Sequence, residues 1–362
     1  MELNATPLVQ EHQQMKALMA PFGGWNMPIQ YEGIIAEHRW CREKAALFDI
    51  CHMGEFLFRG DIESSGLENV FTFSVKTIPI GRSRYGFLLN DRGGIIDDLI
   101  AFRLAEDEVM IVVNAATIDN DFAVISSRLA AGADFTNISS ATGKLDLQGP
   151  LSRDILSELF SPEIASIPYF KFIRTRLLGA DAIVSRTGYT GELGYELFLP
   201  AEKVVELWRL LLADQRVKPA GLGARDVLRL EVGYSLYGSD IDEMTTPLEA
   251  GLMAFVKLDK EFVGRDALLR QQQEGVSRLK ISFRGNSRRS PRHHYEILCN
   301  GETTGSVTSG VFSPMLGCGI GMGYVKPAAA AVGTSLVVQH ENVKLDATVV
   351  DLPFYDGGSV RS

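Results

Sequence analysis

At 362 residues, with 46% hydrophobic and 22% charged side chains, the chain can form two or three ordinary globular domains around a large core. Its net charge of −9 argues against a nucleic-acid surface as the main function, because phosphate contacts need a basic face. No apolar run approaches bilayer length, Met1-Glu2-Leu3-Asn4 opens no basic-then-apolar leader, and Cys41, Cys51, Cys299 and Cys318 form neither a C-x-x-C pair nor a zinc spacing. A cytoplasmic protein with isolated thiols, no metal and no membrane or nucleic-acid partner is expected.

Residues 9–20 and 34–46 carry helical periodicity with charged faces. Between them, Pro21-Phe22-Gly23-Gly24-Trp25-Asn26-Met27-Pro28 reads as a loop rich in glycine and aromatic residues. Residues 47–59 alternate enough for one strand. Residues 85–90 and 98–104 read as strands around an Asp-Arg-Gly-Gly turn, hence a hairpin. Residues 109–113 continue the sheet, and 117–131 predict a helix. A short strand at 145–148 stops at Gly149-Pro150, with a helix over 151–160. Strands at 182–185 and 195–199 bracket a Gly-rich loop. Amphipathic helices follow over 201–213 and 224–232.

After about residue 275 the pattern changes. Segments 279–283, 295–299, 305–309, 319–324, 335–339 and 343–350 are strand-like, with no long helical pattern between them. They predict a separate all-β module, a small barrel or jelly roll. The class is therefore α+β, divided into 1–275 and 276–362.

Common site motifs are missing. Gly317-Cys318-Gly319-Ile320-Gly321-Met322-Gly323 lacks dinucleotide-binding spacing and has no helix after it. Its period-two glycines suit a barrel strand that bends or lies close to another backbone. There is no Walker A lysine, H-E-x-x-H or G-x-S-x-G. Cys51-His52 resembles a nucleophile–base pair, but adjacent strand residues face opposite ways.

Carboxylates, arginines and aromatic residues in loops remain. In Gly93-Gly94-Ile95-Ile96-Asp97-Asp98-Leu99-Ile100, strand parity turns the two aspartates to opposite faces. The inward one is a satisfied structural group, such as a hairpin-turn aspartate, or a functional one. Glu196, in Tyr195-Glu196-Leu197-Phe198, can accept two parallel N–H bonds from a planar amino-heterocycle such as a pterin; the alternative is a surface glutamate paired with arginine. Arg225 and Arg229 share a helix face and can bind an anion or pair with Asp226 and Glu231, the latter suiting Arg229 better. Arg288, Arg289, Arg292, His293 and His294 form a local basic cluster in an acidic chain.

In order and spacing, several stretches resemble the glycine cleavage system T-protein (aminomethyltransferase) family over nearly the whole chain. They include Phe22-Gly23-Gly24-Trp25-Asn26-Met27-Pro28, Phe48-Asp49-Ile50-Cys51-His52-Met53-Gly54-Glu55 and the Gly93 to Leu99 run. Others are Val112-Val113-Asn114-Ala115-Ala116, Leu147-Gln148-Gly149-Pro150, Ser185-Arg186-Thr187-Gly188-Tyr189-Thr190-Gly191-Glu192 and Leu352-Pro353-Phe354-Tyr355. The resemblance implies a three-lobed, cloverleaf-like fold: two interleaved α/β lobes, then a C-terminal jelly-roll-like β-barrel. It implies transfer of the methylene from the S-aminomethyl-dihydrolipoyl arm of a lipoyl-carrying H-protein to tetrahydrofolate, with release of ammonia. Asp98 would face the reacting folate nitrogens, Glu196 would read the pterin, and Arg225 would hold the cofactor's tail or the incoming arm. Tyr85, Tyr169, Tyr189 and Tyr234 match aromatic positions around the folate. Val112 and Asn114 match channel positions, and Arg361 matches a C-terminal arginine near the channel. Neither a metal nor a nucleotide is implied. The chain departs from the family pattern at Thr72-Phe73-Ser74, where an Asn and an Asp are lost. It departs also at Phe102, where a tyrosine is common near the channel, at Leu193, and at His294, usually glycine. Two alternatives follow: a paralogue using another one-carbon donor, and a non-catalytic folate-binding protein of assembly or repair.

Overall fold

The structure, a computed structural model, describes residues 3–361; Met1-Glu2, the start of the segment read as free of a leader, lies outside them. Helix α1 (Val9–Gln14) leads into a hairpin of β1 (Leu18–Phe22) and β2 (Trp25–Gln30). Gly23 and Gly24 both take positive φ at its turn, the conformation a two-residue hairpin demands. Cross-strand pairing thus replaces the helix expected through residue 20 and the loop expected at 21–28. Helix α2 (Ile34–Glu43) stops short of 46, because Ala45 already begins the fully buried strand β3 (Ala45–Asp49).

The single strand expected over 47–59 is two. After β3 the chain turns through Ile50-Cys51-His52-Met53 into β4 (Gly54–Arg59) and changes sheets. Strands β5 (Ser83–Leu89) and β6 (Ile95–Arg103) form the expected hairpin, followed by β7 (Glu108–Val113), α3 (Ile118–Arg128) and β8 (Asp134–Asn137). They build a five-stranded sheet in the order β5-β6-β7-β4-β8. Next come β9 (Thr142–Gln148), α4 (Ser152–Leu159), β10 (Phe172–Leu177), β11 (Ala180–Ser185), β12 (Gly194–Pro200), α5 (Val204–Leu212) and β13 (Val217–Pro219). The second sheet has six strands, β10-β11-β12-β9-β3-β13, with β13 parallel to β3. Because β3 and β4 are neighbours in sequence but lie in different sheets, the two lobes interleave.

Helices α6 (Leu222–Glu231) and α7 (Arg265–Glu274) precede the last lobe. There β14 (Leu279–Gly285), β15 (Glu296–Cys299), β16 (Glu302–Ser313), β17 (Cys318–Val325), β18 (Ser335–His340) and β19 (Val343–Val350) close into a barrel, β19 pairing back onto β14. The alternating glycines of β17 allow this closure: a Cβ on Gly323 would stand 2.4 Å from the Ser306 carbonyl oxygen, and one on Gly321 2.5 Å from the Phe283 ring. Strand β8 is largely exposed and β13 is three residues long, so neither carries a strong alternating signal.

Each lobe has its own core, around Leu147, Tyr195 and Trp208, around Phe56, Phe71 and Val113, and around Phe283, Ile297 and Val338. Burying each large apolar side chain contributes about 1.5–3 kcal/mol. Val227 and Leu230 of α6 pack on Ile320 and Met322 of β17. Arg229 reinforces this seam: it is 2% exposed and its Nη1 lies 2.7 Å from Asp240, while Nη2 donates to Ser309 Oγ at 2.7 Å. It is thus a structural arginine, paired with Asp226 as its spacing suggests but with Asp240 in place of Glu231, which Arg42 and His38 hold instead. No helix among the described residues is long and apolar enough to cross a membrane.

Candidate active site

The lobes meet around a cavity of about 850 Å³. Strand parity decides which side chains reach it. Along β6, Asp97 is wholly buried and Asp98 points into the cavity. Asp97 accepts from Asn114 N at 2.9 Å, Asn114 Nδ2 at 2.8 Å and Thr117 Oγ1 at 3.0 Å, fixing the turn that leads into α3. Asp98 accepts from Tyr85 Oη at 2.9 Å and Asn114 Nδ2 at 2.8 Å, so each of its oxygens has a donor. Burial, then the charge of Asp97, pushes Asp98 up to about 7. Asp121, buried on α3, is pushed up to about 10 by burial and by Asp97. Asp121 therefore stays protonated near neutrality, and burial raises Asp97 as well.

The opposite sheet contributes by the same alternation. Along β9, Leu145 and Leu147 enter the core, while Lys144, Asp146 and Gln148 occupy the other face. On β12, Glu196 pairs in register with Asp146, and Phe198 with Lys144. Glu196 Oε2 accepts from Thr187 Oγ1 at 2.7 Å, and Oε1 lies 3.9 Å from Lys144 Nζ. The loop holding Thr187 and Tyr189 is clamped around Gln148, which donates to Thr187 O at 3.0 Å and accepts from Thr190 Oγ1 at 2.7 Å. Gly188 and Gly194 make room for it: a Cβ on either would come within 2.2 Å of the Gln148 side chain.

Arg225, on α6, lines the cavity with Nη1 2.5 Å from Asp146 Oδ2 and its guanidinium 5.1 Å from the Tyr189 ring centre. Tyr189 and Tyr234 stack at 5.6 Å, and Tyr169 also lines the cavity. Val112 adds an apolar stretch of wall. The cavity therefore brings together Tyr85, Asp98, Val112, Asn114, Tyr169, Tyr189, Glu196, Arg225 and Tyr234. Arg361 is exposed and outside the lining, although its charge acts on the Tyr169 hydroxyl.

The family departures fall unevenly. Thr72 stands behind the Asp98 wall: its hydroxyl donates to Phe255 O at 3.1 Å and accepts from Phe87 N at 3.0 Å, and Phe255 packs edge-on to Tyr85 at 4.8 Å. Phe102, expected near the channel, instead packs between Phe172 and Phe198, 5.5 and 5.4 Å away, outside the lining. Leu193 is also buried away from the cavity. His294 takes φ +67, the left-handed backbone that favours glycine.

Cys51 and His52 do not act as a pair. Cys51 Sγ donates to Lys144 O at 3.2 Å and burial pushes its thiol up, while His52 faces the cavity with burial holding it down to about 4. Sequence reasoning missed Lys144 and Ser309, which line the cavity, and read Arg292 and His293, which line it too, only as members of a basic cluster. Lys144 had one signal, a lone lysine alternating with the leucines of a buried strand. No group of three metal-binding side chains occurs among the described residues.

Comparison with known proteins agrees in both parts of the chain. Residues 8–260 match the GCVT N-terminal domain, and residues 278–356 match the glycine cleavage T-protein C-terminal barrel domain. An aminomethyltransferase from Halothermothrix orenii is 44% identical, covering 97% of this chain and 100% of its own. One from Thermotoga petrophila is 42% identical over 99% of each. The crystal structure of glycine cleavage system aminomethyltransferase T from Bartonella henselae superposes with a TM-score of 0.93 at 35% identity, covering 99% of both chains. With the three-lobed fold and both domains matched nearly end to end, the chain belongs to the glycine cleavage T-protein family of aminomethyltransferases.

Proposed function

We propose that this aminomethyltransferase moves the methylene of an S-aminomethyl-dihydrolipoyl H-protein to tetrahydrofolate, in the cytoplasm, with release of ammonia. We assign residues 1–275 to the folate-binding region and 276–362 to the barrel that completes its wall. One observation carries the reading: Asp98 from one sheet and Glu196 from the other line the same cavity, beside the stacked rings of Tyr189 and Tyr234. A pterin fits this donor set, since it presents amino and ring N–H groups to a carboxylate and a flat face to aromatic rings.

When bound, tetrahydrofolate supplies the amine nitrogens that take up the one-carbon unit. The carbon leaves both sulfur and ammonia, so the protein need not supply a nucleophile. Its task is positioning and charge. Tyr85 and Asn114 hold both oxygens of Asp98, which keeps an anion fixed at the cavity wall without reorganisation. Its value of about 7 also lets it take a proton from an acceptor amine near neutrality. Glu196, oriented by Thr187, holds the heterocycle. Arg225 keeps Tyr189 in place through their stacking and reaches the tail or arm only with the nitrogens that Asp146 leaves.

Turnover with a defined aminomethyl-lipoyl carrier and tetrahydrofolate tests the proposal, with ammonia and methylenetetrahydrofolate as readouts. Asp98→Asn should slow turnover by about 10²–10³ while folate affinity stays within a few-fold. No ammonia from the wild type would point to another one-carbon donor or to a non-catalytic binder. An unchanged rate in Asp98→Asn with folate bound would remove Asp98 from the chemistry.

A further inference from the structure

Lys144 has no role in the scheme above, yet its position is unusual. The side chain is 1% exposed and lines the cavity. Its Nζ lies 4.8 Å from the Phe198 ring centre and 3.9 Å from Glu196 Oε1, beyond a direct hydrogen bond. Its nearest acceptor is Met53 Sδ at 3.6 Å, a weak one. An ammonium carries three donors and no acceptor. A buried charge with its donors so poorly used is costly unless something else completes them. The neighbouring carboxylates do not: Asp146 is paired with Arg225, and Glu55 is itself buried with Oε1 lacking any donor.

The chemistry of a 2-amino-4-oxo ring supplies what is missing. A carboxylate that accepts from the 2-amino group and the adjacent ring N–H leaves the 4-oxo oxygen next along the same edge. That oxygen is an acceptor. An ammonium beside the carboxylate therefore completes the match, acceptor-acceptor-donor against donor-donor-acceptor. We infer that Lys144 is a specificity-determining residue that donates to the 4-oxo group of the pterin held by Glu196, an inference that rests on the folate reading. A 4-amino ring would instead turn its own donors toward the ammonium, and its N3, no longer carrying hydrogen, would also cost Glu196 a donor.

Equilibrium binding of tetrahydrofolate and of its 4-amino counterpart, tetrahydroaminopterin, tests this without turnover. The wild type should prefer the 4-oxo ligand by at least about tenfold, the discrimination expected when a buried polar group is left unmatched. Lys144→Met and Lys144→Gln should lose several-fold of that preference, mainly through weaker tetrahydrofolate binding, while the share that Glu196 sets remains. A purely structural lysine would weaken both ligands alike and leave the ratio unchanged, which would overturn the inference. If both variants fail to fold, the wild type decides with the 4-thioxo counterpart of tetrahydrofolate, which keeps the ring N–H for Glu196 and weakens only the acceptor facing Lys144: equal affinity for the oxo and thioxo forms overturns the inference, and a clear 4-oxo preference supports it. A wild type that binds neither ligand would overturn the folate reading, and this inference with it.

Discussion

Replacing Tyr85 by Phe should move the pH dependence of turnover in a direction fixed by the geometry. Tyr85 Oη donates to Asp98 Oδ2 at 2.9 Å. That bond favours the ionised carboxyl over the neutral one, so its loss raises the pKa. A hydrogen bond to a charged group contributes about 1.5–3 kcal/mol. At about 1.4 kcal/mol per unit, Asp98 would rise by roughly 1–2 units from its value of about 7. At pH 7 the ionised fraction would fall from about half to roughly 1–10%, lowering kcat/KM about 5–50-fold. Most of the loss should be recovered at high pH, where even the raised group ionises. Asp97→Asn should do the reverse. It removes the negative charge that helps hold Asp98 up, while its amide oxygen can still accept from Asn114. The acid limb should then move to lower pH. Ammonia release from the aminomethylated carrier, followed between about pH 5.5 and 9.5, reads both shifts around the expected midpoint. A uniform loss in Tyr85→Phe with an unmoved midpoint would refute the electrostatic account. So would two variants whose midpoints move the same way.

The structure makes three further predictions. Phe102→Tyr puts a hydroxyl into the buried contact with Phe172 and Phe198. It should cost about 1–3 kcal/mol in chemical denaturation without raising turnover, and a gain in kcat would mean that the position does reach the cavity. Glu55 is 1% exposed, and burial pushes it up to about 8 from 4.5. Its contribution to stability is thus fully present below about pH 4.5 and lost as pH rises through about 8, with an upper limit of about 5 kcal/mol. Glu55→Gln should therefore raise Tm more at pH 8.5 than at pH 5, and an equal change at both values of pH would count against a buried neutral acid. Arg288 and Arg289 are exposed on the loop that continues to Arg292 and His293 in the cavity wall. Reversing both charges should raise KM for the lipoyl carrier several-fold and leave folate affinity unchanged; unaltered kinetics would place docking elsewhere.

Local pattern was enough for much of this protein. The period-two parity of β6 separates Asp97 from Asp98, and the structure keeps that separation, with one aspartate wholly buried and the other in the cavity. The barrel strands, the β5–β6 hairpin and α6 were legible for the same reason, since each carries its periodicity within a few residues. Glycine spacing in β17 likewise announced a close backbone approach that Gly323 and Ser306 now show. Tertiary structure decided the rest. Residues 47–59 alternate without a visible break, yet β3 and β4 join different sheets, because strand partners are chosen by contacts far along the chain. The helix face of Arg225 and Arg229 suits an anion or neighbouring carboxylates; the structure gives one Arg225 nitrogen to Asp146, 79 positions away. Lys144, Glu196 and Arg292 become neighbours of one cavity only when three lobes close around it. Sequence periodicity states which face of each strand or helix is polar, whereas the distances between those faces depend on long-range packing that no local pattern encodes.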